Sequence, residues 1–315
     1  MNPSVDIIVV NWNSGGHLLK CVQTVETARG NGFELHQVTV VDNASSDHST
    51  DRLESLELPL QLISNSSNRG FGAACNQGAK ASSAEYLLFL NPDVRLQPDS
   101  LRVAIEFMED PQNAKIGICG IRLLDDHGHM AQTCSRFPSP TLFFSWMLGL
   151  NQLFPKRFRG LFLAEDEIRE SRTVDQVMGA FFTVRRSVFE ALGGFDQRFF
   201  VYFEDLDFSQ RALVAGWASY YLATTTAYHT GHGSSSQAKA ARLFYWLRSR
   251  VLYGYKHFGR IAGTLLLVGT IVIEPISRLV LAVSHWSLQE VRETLRGWAM
   301  FLWAIPSLIK TQGRA

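Results

Sequence analysis

Three groups of side chains in this sequence have the types and spacing to do chemistry. The first is Asp93, in Asn91-Pro92-Asp93 just past an apolar run. A carboxylate there suits a hard divalent cation, because Mg²⁺ is commonly held by one or two carboxylates, with phosphate oxygens and water completing its shell. An aspartate after proline is equally at home in a turn. The second is His229, in Tyr228-His229-Thr230-Gly231-His232-Gly233-Ser234-Ser235. His229 and His232 alone are weak grounds for zinc, which takes three or four protein ligands. A cation shared between one carboxylate, one imidazole and a diphosphate asks only Asp93 and His229 of the protein. The third is Glu204, Asp205 and Asp207, which follow the aromatic run Phe199-Phe200-Val201-Tyr202-Phe203. Partial desolvation and like-charged neighbours raise a carboxylate pKa toward working pH, as a general base requires. Acids at a helix start are also favoured by the helix dipole.

The elements that must position these groups alternate between strand and helix. Val5 to Val10, Val38 to Val41, Leu60 to Ile63 and Tyr86 to Leu90 are short apolar runs that read as strands. Helical patterns follow the first, through Leu18, Leu19, Val22 and Val25, and the third, through Phe71 to Ala81. Ser45-Ser46-Asp47 offers N-cap residues for a helix after the second. Continuous apolar strands in strand–helix units predict a parallel sheet covered on both faces. Ligands of such sheets bind beyond the carboxyl ends of the strands. The polar residues there, Asn11 and Trp12, Asp42 and Asn43, Asn91 and Asp93, are therefore expected to converge on one crevice. Gly179 to Val184 reads as a further strand, and Glu204 opens a helix through Leu213 and Val214.

Gly70-Phe71-Gly72-Ala73-Ala74-Cys75 is nearly a dinucleotide fingerprint. It follows the third strand rather than the first, and Cys75 replaces the final small residue, which argues against a nicotinamide-dependent oxidoreductase. Asn68, Arg69 and Asn76 beside this turn are suited to a nucleotide diphosphate.

Composition narrows the class. With 315 residues and a net charge of +1, the chain has room for one large α/β domain plus an appendage, and nothing in its charge points to nucleic acid. Met1 to Asn13 has no basic leader pattern. Cys21, Cys75, Cys119 and Cys134 show no CxxC spacing and are expected as reduced thiols. Thr141 to Phe154 is apolar and aromatic and is followed by Lys156, Arg157 and Arg159. It suits a core helix with a basic tail or an interfacial helix beside anionic lipid. Ile261 to Ile273 and Ile276 to Val283 are apolar, but Glu274-Pro275 and Arg278 interrupt them. A clean span needs about 20 apolar residues, so a membrane-surface element, a re-entrant element or a buried helix hairpin is expected. Trp298 to Ile309, with Lys310 and Arg314 behind it, repeats the interface pattern.

Taken in order, the motifs resemble glycosyltransferase family 2, and within it the bacterial rhamnosyltransferase-like branch. The matching stretches are Ile7 to Ser14, Val40 to Asp47, Asn68 to Gly72 with Asn76 and Gly78, Leu88 to Asp93, Gly193 to Asp196 through Phe203 to Asp207, and His229 with Gly231, Gly233, Ser234 and Ser235. The resemblance implies a GT-A nucleotide-diphospho-sugar transferase fold with a mainly parallel central sheet, here with apolar C-terminal helices. Residues 1–236 would form the catalytic domain, with a nucleotide-binding half to about residue 125 and an acceptor half after it. Residues 237–315 would be helical and membrane-associated. By the same resemblance Asp42 meets the nucleoside, with Asn11 and Trp12 lining its pocket. Asp93 and His229 hold Mg²⁺ or Mn²⁺, with Asn91 where many members carry an acid. Asp205 is the general base, with Glu204 beside it.

The implied reaction is an inverting transfer of L-rhamnose from dTDP-L-rhamnose to a lipid-linked or cell-envelope glycan, at the cytoplasmic face of a bacterial inner membrane. A polyprenyl-phosphate sugar transferase of the same fold would carry an acid-rich motif where Asn91-Pro92-Asp93 stands. A nucleotide-sugar-binding partner without turnover would be expected to lack Asp93, Asp205 or His229. All three are present.

Overall fold

The structure is a computed structural model that describes residues 2–231, 239–284 and 286–312. His232, Gly233, Ser234 and Ser235 of the hydroxyl-rich loop lie outside the described residues. The chain divides into two compact units. One comprises residues 1–136, 162–197 and 204–234, and the other residues 137–161, 198–203 and 235–315.

The first unit is built on a mixed sheet. Its strands are β1 (Ser4–Asn11), β2 (Glu34–Asp42), β3 (Leu60–Ser64), β4 (Tyr86–Leu90), β5 (Val94–Leu96), β6 (Ile116–Leu124), β8 (Arg172–Val174), β10 (Phe181–Arg185) and β11 (Ala218–His229). The order is β3-β2-β1-β4-β10-β6-β11-β5, with β8 also on β11. The first four strands read from the sequence, β1 to β4, pair in parallel. β10 enters antiparallel between β4 and β6, and β11 is parallel to β6. β7 (Cys134–Ser135) and β9 (Gln176–Val177) pair separately.

β1 shows why its run is apolar throughout. Val5, Ile7 and Val9 face a core completed by Leu18, Val22 and Val25 of helix α1 (Gly16–Ala28) and Leu101 and Ile105 of α3 (Ser100–Glu109). Ile8 and Val10 face the other way, onto Ala74 and Cys75 of α2 (Phe71–Ala79), Val188 and Phe189 of α6 (Arg186–Ala191), and Phe208 of α7 (Glu204–Val214). A strand buried on both faces has no place for alternation. All four cysteines are buried and free.

No α-helix follows β2. Only a single 3₁₀ turn, Leu53–Ser55, stands there. The residues that read as N-caps have other partners. Ser45 bonds Asp42 and Asn11, Ser46 N–H donates to Asn13 Oδ1, and Asp47 accepts from Gly15 N–H. Ser, Asn and Asp bond the nearby backbone in turns as readily as at helix starts.

The second unit is helical. α4 (Pro140–Met147) buries Phe143 and Met147, and the pattern then breaks at Gly149 before the short α5 (Leu150–Leu153). Leu153 and Phe154 are exposed beyond it. α8 (Lys239–Val272) is interrupted at Gly259, whose φ of 82° only glycine adopts freely. α9 (Glu274–Ser284) and α10 (Leu288–Gln312) complete the unit. Phe143, Phe203, Tyr253 and Phe258 form an aromatic cluster. Lys239–Val283 contains a stretch long and apolar enough to cross a membrane by length and composition. The interrupting charges lie inside the unit: Glu274 is buried and pairs with Arg250 and Arg278.

Candidate active site

The carboxyl ends of the parallel strands carry the polar residues together. Asn11 and Asp42 are register partners on β1 and β2. Asn11 Nδ2 lies 2.7 Å from Asp42 Oδ1, 2.8 Å from Ser49 Oγ and 3.0 Å from Ser45 Oγ, and its carbonyl accepts from Ser14. Asp42 Oδ1 also accepts from Ser45 Oγ at 2.5 Å, and Oδ2 from Ser45 N–H at 3.1 Å. A carboxylate has about four lone-pair sites. These bonds orient Asp42 and leave room on Oδ2 for one more donor. Trp12, beside them, is 39 % exposed.

The loop after β3 reaches the same edge, where Asn65 N–H donates to the Asp42 carbonyl at 2.9 Å. Asn68 Oδ1 accepts from Gly70 N–H at 2.9 Å and shapes the glycine turn. Arg69 is exposed, with its guanidinium 3.5 Å from Gln77 Oε1. Asn76 stands apart from this group. It donates to the Phe195 carbonyl at 2.7 Å and accepts from Phe195 N–H at 2.8 Å, so both ends of its amide hold the Gly193-Gly194-Phe195 turn to α2.

Asp93 and His229 meet through the sheet. β5 pairs antiparallel with the end of β11, in a register that sets His229 opposite Val94. His229 Nε2 is 3.3 Å from the buried Asp93 Oδ1. Burial alone would raise the Asp93 pKa, but bonding and attraction from His229, with a smaller contribution from His17, hold it below the usual aspartate value. It is thus an anion at neutral pH. Two ligands at right angles on a metal about 2.1 Å away stand about 3 Å apart, so the pair fits a divalent cation. Among the described residues no group of three or more His, Cys, Asp or Glu side chains is placed to hold a metal. The remaining positions would fall to diphosphate and water.

Asp205 connects to the same edge by a short relay. Asn91 N–H donates to the Ala180 carbonyl at 3.0 Å, and the neighbouring Gly179 N–H donates to Asp205 Oδ2 at 2.8 Å. Asp205 Oδ1 accepts from Leu206 N–H in the first turn of α7. Glu204 is buried, and its Oε2 has no partner among the described residues. The approach of α7 to α2 is close: a Cβ on Gly72 would come within 3.3 Å of Phe195 Cβ and 3.4 Å of Glu204 Cβ. Tyr202 and Phe203, just before α7, both have left-handed φ, 67° and 72°. Non-glycine residues there cost about 1–3 kcal/mol each and cluster at functional sites.

The two acids are set apart by their surroundings. Burial, then the neighbouring Asp205 charge, pushes the Glu204 pKa far up. Burial also raises that of Asp205, but the Gly179 and Leu206 N–H groups oppose it. The negative charge of the pair therefore resides on Asp205, while Glu204 holds a proton longer. A raised folded-state pKa contributes stability at low pH that is lost as pH rises through it. Glu204→Gln should accordingly leave acid stability little changed and raise Tm at alkaline pH, by the equivalent of about 1–3 kcal/mol for relieving a buried unpaired charge. Thermal denaturation across pH checks this. A constant offset between the two proteins at all pH values would show that folding does not shift the Glu204 pKa.

Sequence reading missed Ser45, Ser49, His17 and Gly179. Ser45 was masked by its cap-like context. A glycine N–H carries no side-chain signal at all.

The mixed sheet, with polar residues gathered at the carboxyl ends of its parallel strands, has the GT-A fold of glycosyltransferases. Solved structures share the fold. A mannosyltransferase from Pyrobaculum calidifontis, in complex with GDP-Man and Mn²⁺, has a TM-score of 0.57 at 15% identity, covering 96% of this chain and 88% of that one. S. aureus TarS 1-349 in complex with UDP-GlcNAc has a TM-score of 0.53 at 14% identity, covering 99% and 84%.

The profile of Glycosyl transferase family 2 matches residues 6–193, and the chain belongs to that family. Its relatives include rhamnosyltransferases. The N-acetylglucosaminyl-diphospho-decaprenol L-rhamnosyltransferase of Mycobacterium tuberculosis is 26% identical over 77% of this chain and 81% of its own length. The rhamnosyltransferase WbbL of Escherichia coli is 31% identical over 57% and 67%.

Proposed function

We propose that this glycosyltransferase moves L-rhamnose from dTDP-L-rhamnose to a hydroxyl of a lipid-linked glycan, inverting the anomeric centre. The observation that carries the reading is the Asp93–His229 pair at the carboxyl edge of the sheet, with Asp205 tied to that edge through Gly179 and Ala180. The rhamnosyltransferase relatives, one of them named for a diphospho-decaprenol substrate, support the donor and the acceptor class.

The roles follow from position. Asp42, oriented by Asn11 and Ser45, receives a donor group of the nucleoside, and the exposed Trp12 ring offers a face beside it. Asn68 sets the glycine turn so that Arg69 and Asn91 flank the diphosphate. Asn76 acts by holding the turn before α7. Asp93 and His229 hold Mg²⁺ or Mn²⁺, which when bound supplies Lewis-acid stabilisation of the leaving diphosphate. Asp205 takes the proton of the acceptor hydroxyl. The acceptor oxygen then forms its bond to the anomeric carbon as the bond to the diphosphate breaks on the opposite face, and nucleoside diphosphate leaves. Glu204, whose pKa burial and the Asp205 charge push up, keeps its proton to higher pH than that base does.

Ile276, Val280, Trp286 and Trp303 on α9, α10 and their connection are exposed. Apolar and tryptophan faces of this kind suit a protein working at the cytoplasmic surface of the inner membrane.

Thermal shift with nucleotide sugars tests the donor assignment. A ligand that binds only the folded state stabilises it by about 2.7 kcal/mol at a hundredfold excess over Kd. dTDP-rhamnose with Mn²⁺ should raise Tm, and UDP-sugars should not. Stabilisation by a UDP-sugar alone would replace the donor, and no response to any nucleotide sugar would contradict the reading.

A further inference from the structure

The helical unit contains a cavity of about 370 Å³ that the transfer chemistry does not use. Trp146, Gln152, Trp246, Arg250, Glu274 and Arg278 are in its wall. Two guanidiniums therefore face one carboxylate. Glu274 pairs with both, with Arg250 Nη2 on one oxygen and Arg278 Nη2 at 2.8 Å from the other. Arg250 is fully buried, and its Nη2 also donates to Thr270 Oγ1 at 2.7 Å. Its Nε and Nη1 meet no acceptor among the described residues. The Trp246 ring lies 4.7 Å from its Cζ and holds the guanidinium plane in place. A structural ion pair accounts for the Glu274 contacts and leaves those two donors unexplained. Guanidinium groups with donors to spare are suited to phosphate oxygens.

The surroundings point to the carrier of that phosphate. On α9, Glu274, Ser277, Arg278 and Leu281 recur at helical spacing and line the cavity. Ile276, Val280 and Val283, on the other side of the same helix, are each more than half exposed. Ile261, Leu265, Val268 and Val272 form a matching exposed row on the second half of α8. A cationic cavity on one side of α9, with exposed apolar faces on the other side of that helix and on α8, gives the same unit a phosphate site and a surface for hydrocarbon. We propose that this cavity binds the phosphomonoester headgroup of an anionic membrane lipid. The inference stands on the helical unit alone and does not depend on the donor assignment.

The test uses the full chain and vesicles of phosphatidylcholine with or without phosphatidic acid. The wild-type protein should sediment more strongly with the phosphatidic acid vesicles. Arg250→Gln and Arg278→Gln should each lower that preference by about tenfold or more, the scale of losing a charge-assisted hydrogen bond. Weak binding to phosphatidylcholine alone should be unchanged, because the apolar faces remain. Arg278 is 39 % exposed, so its variant keeps the test readable if Arg250→Gln does not fold. Retained stabilisation by nucleotide sugar in the Arg278 variant separates this site from the donor site. Equal binding of the wild-type protein to both vesicle types, or an undiminished preference in a folded Arg278 variant, would overturn the proposal. A Tm rise with inorganic phosphate that phosphatidic acid vesicles neither match nor compete with would overturn the lipid assignment.

Discussion

Asp205→Asn should lower kcat by about a hundredfold to ten-thousandfold, the range for loss of a positioned general base, while donor affinity stays within a few-fold. The substitution keeps the shape of the side chain and an oxygen for the Gly179 N–H bond, which is 2.8 Å in the native protein. What it removes is proton affinity. The wild-type pH profile should carry the same signature. Burial raises the Asp205 pKa, and the Gly179 and Leu206 amides limit the rise. The base works only when deprotonated, so kcat/KM should fall as pH drops through a pKa above the usual aspartate value. In Asp205→Asn this acid limb should disappear from the residual activity. Steady-state kinetics over pH measures both effects. A variant with native kcat and an unchanged acid limb would remove Asp205 from the role and direct attention to Glu204, the other raised carboxylate.

Asp93→Ala should abolish the metal dependence of donor binding and weaken nucleotide-sugar affinity by about a hundredfold, in line with the several kcal/mol a bound cation contributes to diphosphate stabilisation. His229→Ala should do the same to a smaller degree, because the buried anion Asp93 remains. Asp93 stands in the turn just before β5, and His229 ends β11 opposite Val94 of β5. Neither change removes a core residue, so folding should survive. Calorimetric titration of dTDP-rhamnose with and without Mn²⁺, in the wild-type protein and both variants, reads the effect directly. Affinity that is insensitive to EDTA in the wild-type protein and unchanged in Asp93→Ala would show that the pair holds no cation during binding.

The sequence made some of this legible and hid the rest for physical reasons. β1, β2 and β4 announce themselves because strands buried on both faces are apolar throughout, and the polar residue that ends each run must then lie at the carboxyl edge. Asn11, Asp42 and Asp93 were visible on that ground alone. The pairing of His229 with Asp93 was not, since it depends on the register of β11 on β5, which no local pattern encodes. Residue chemistry could offer the two as a shared cation pair, and the family resemblance implied it, but neither rests on the register. The antiparallel insertion of β10 between β4 and β6 was equally hidden, because a buried strand reads the same in either direction. Ser45 and Asp47 misled for the opposite reason. Their side chains suit a helix start as well as a strand-end turn, and contacts with Asn11, Asn13 and Gly15 from another strand decided between the two. In the C-terminal part, Glu274 and Arg278 read as interruptions of an apolar run. Arg250, buried against Glu274, makes that charge part of an ion pair inside the helical unit, which the local pattern does not show.

Product analysis tests the central claim most directly. The purified chain would be incubated with dTDP-L-rhamnose, Mn²⁺ and a diphospho-lipid-linked N-acetylglucosamine, and the product linkage assigned by NMR. The account predicts rhamnosylated acceptor with anomeric configuration opposite to that of the donor, formed only with divalent cation and at a rate that collapses in Asp205→Asn. Retained configuration, or full turnover in EDTA, would contradict it.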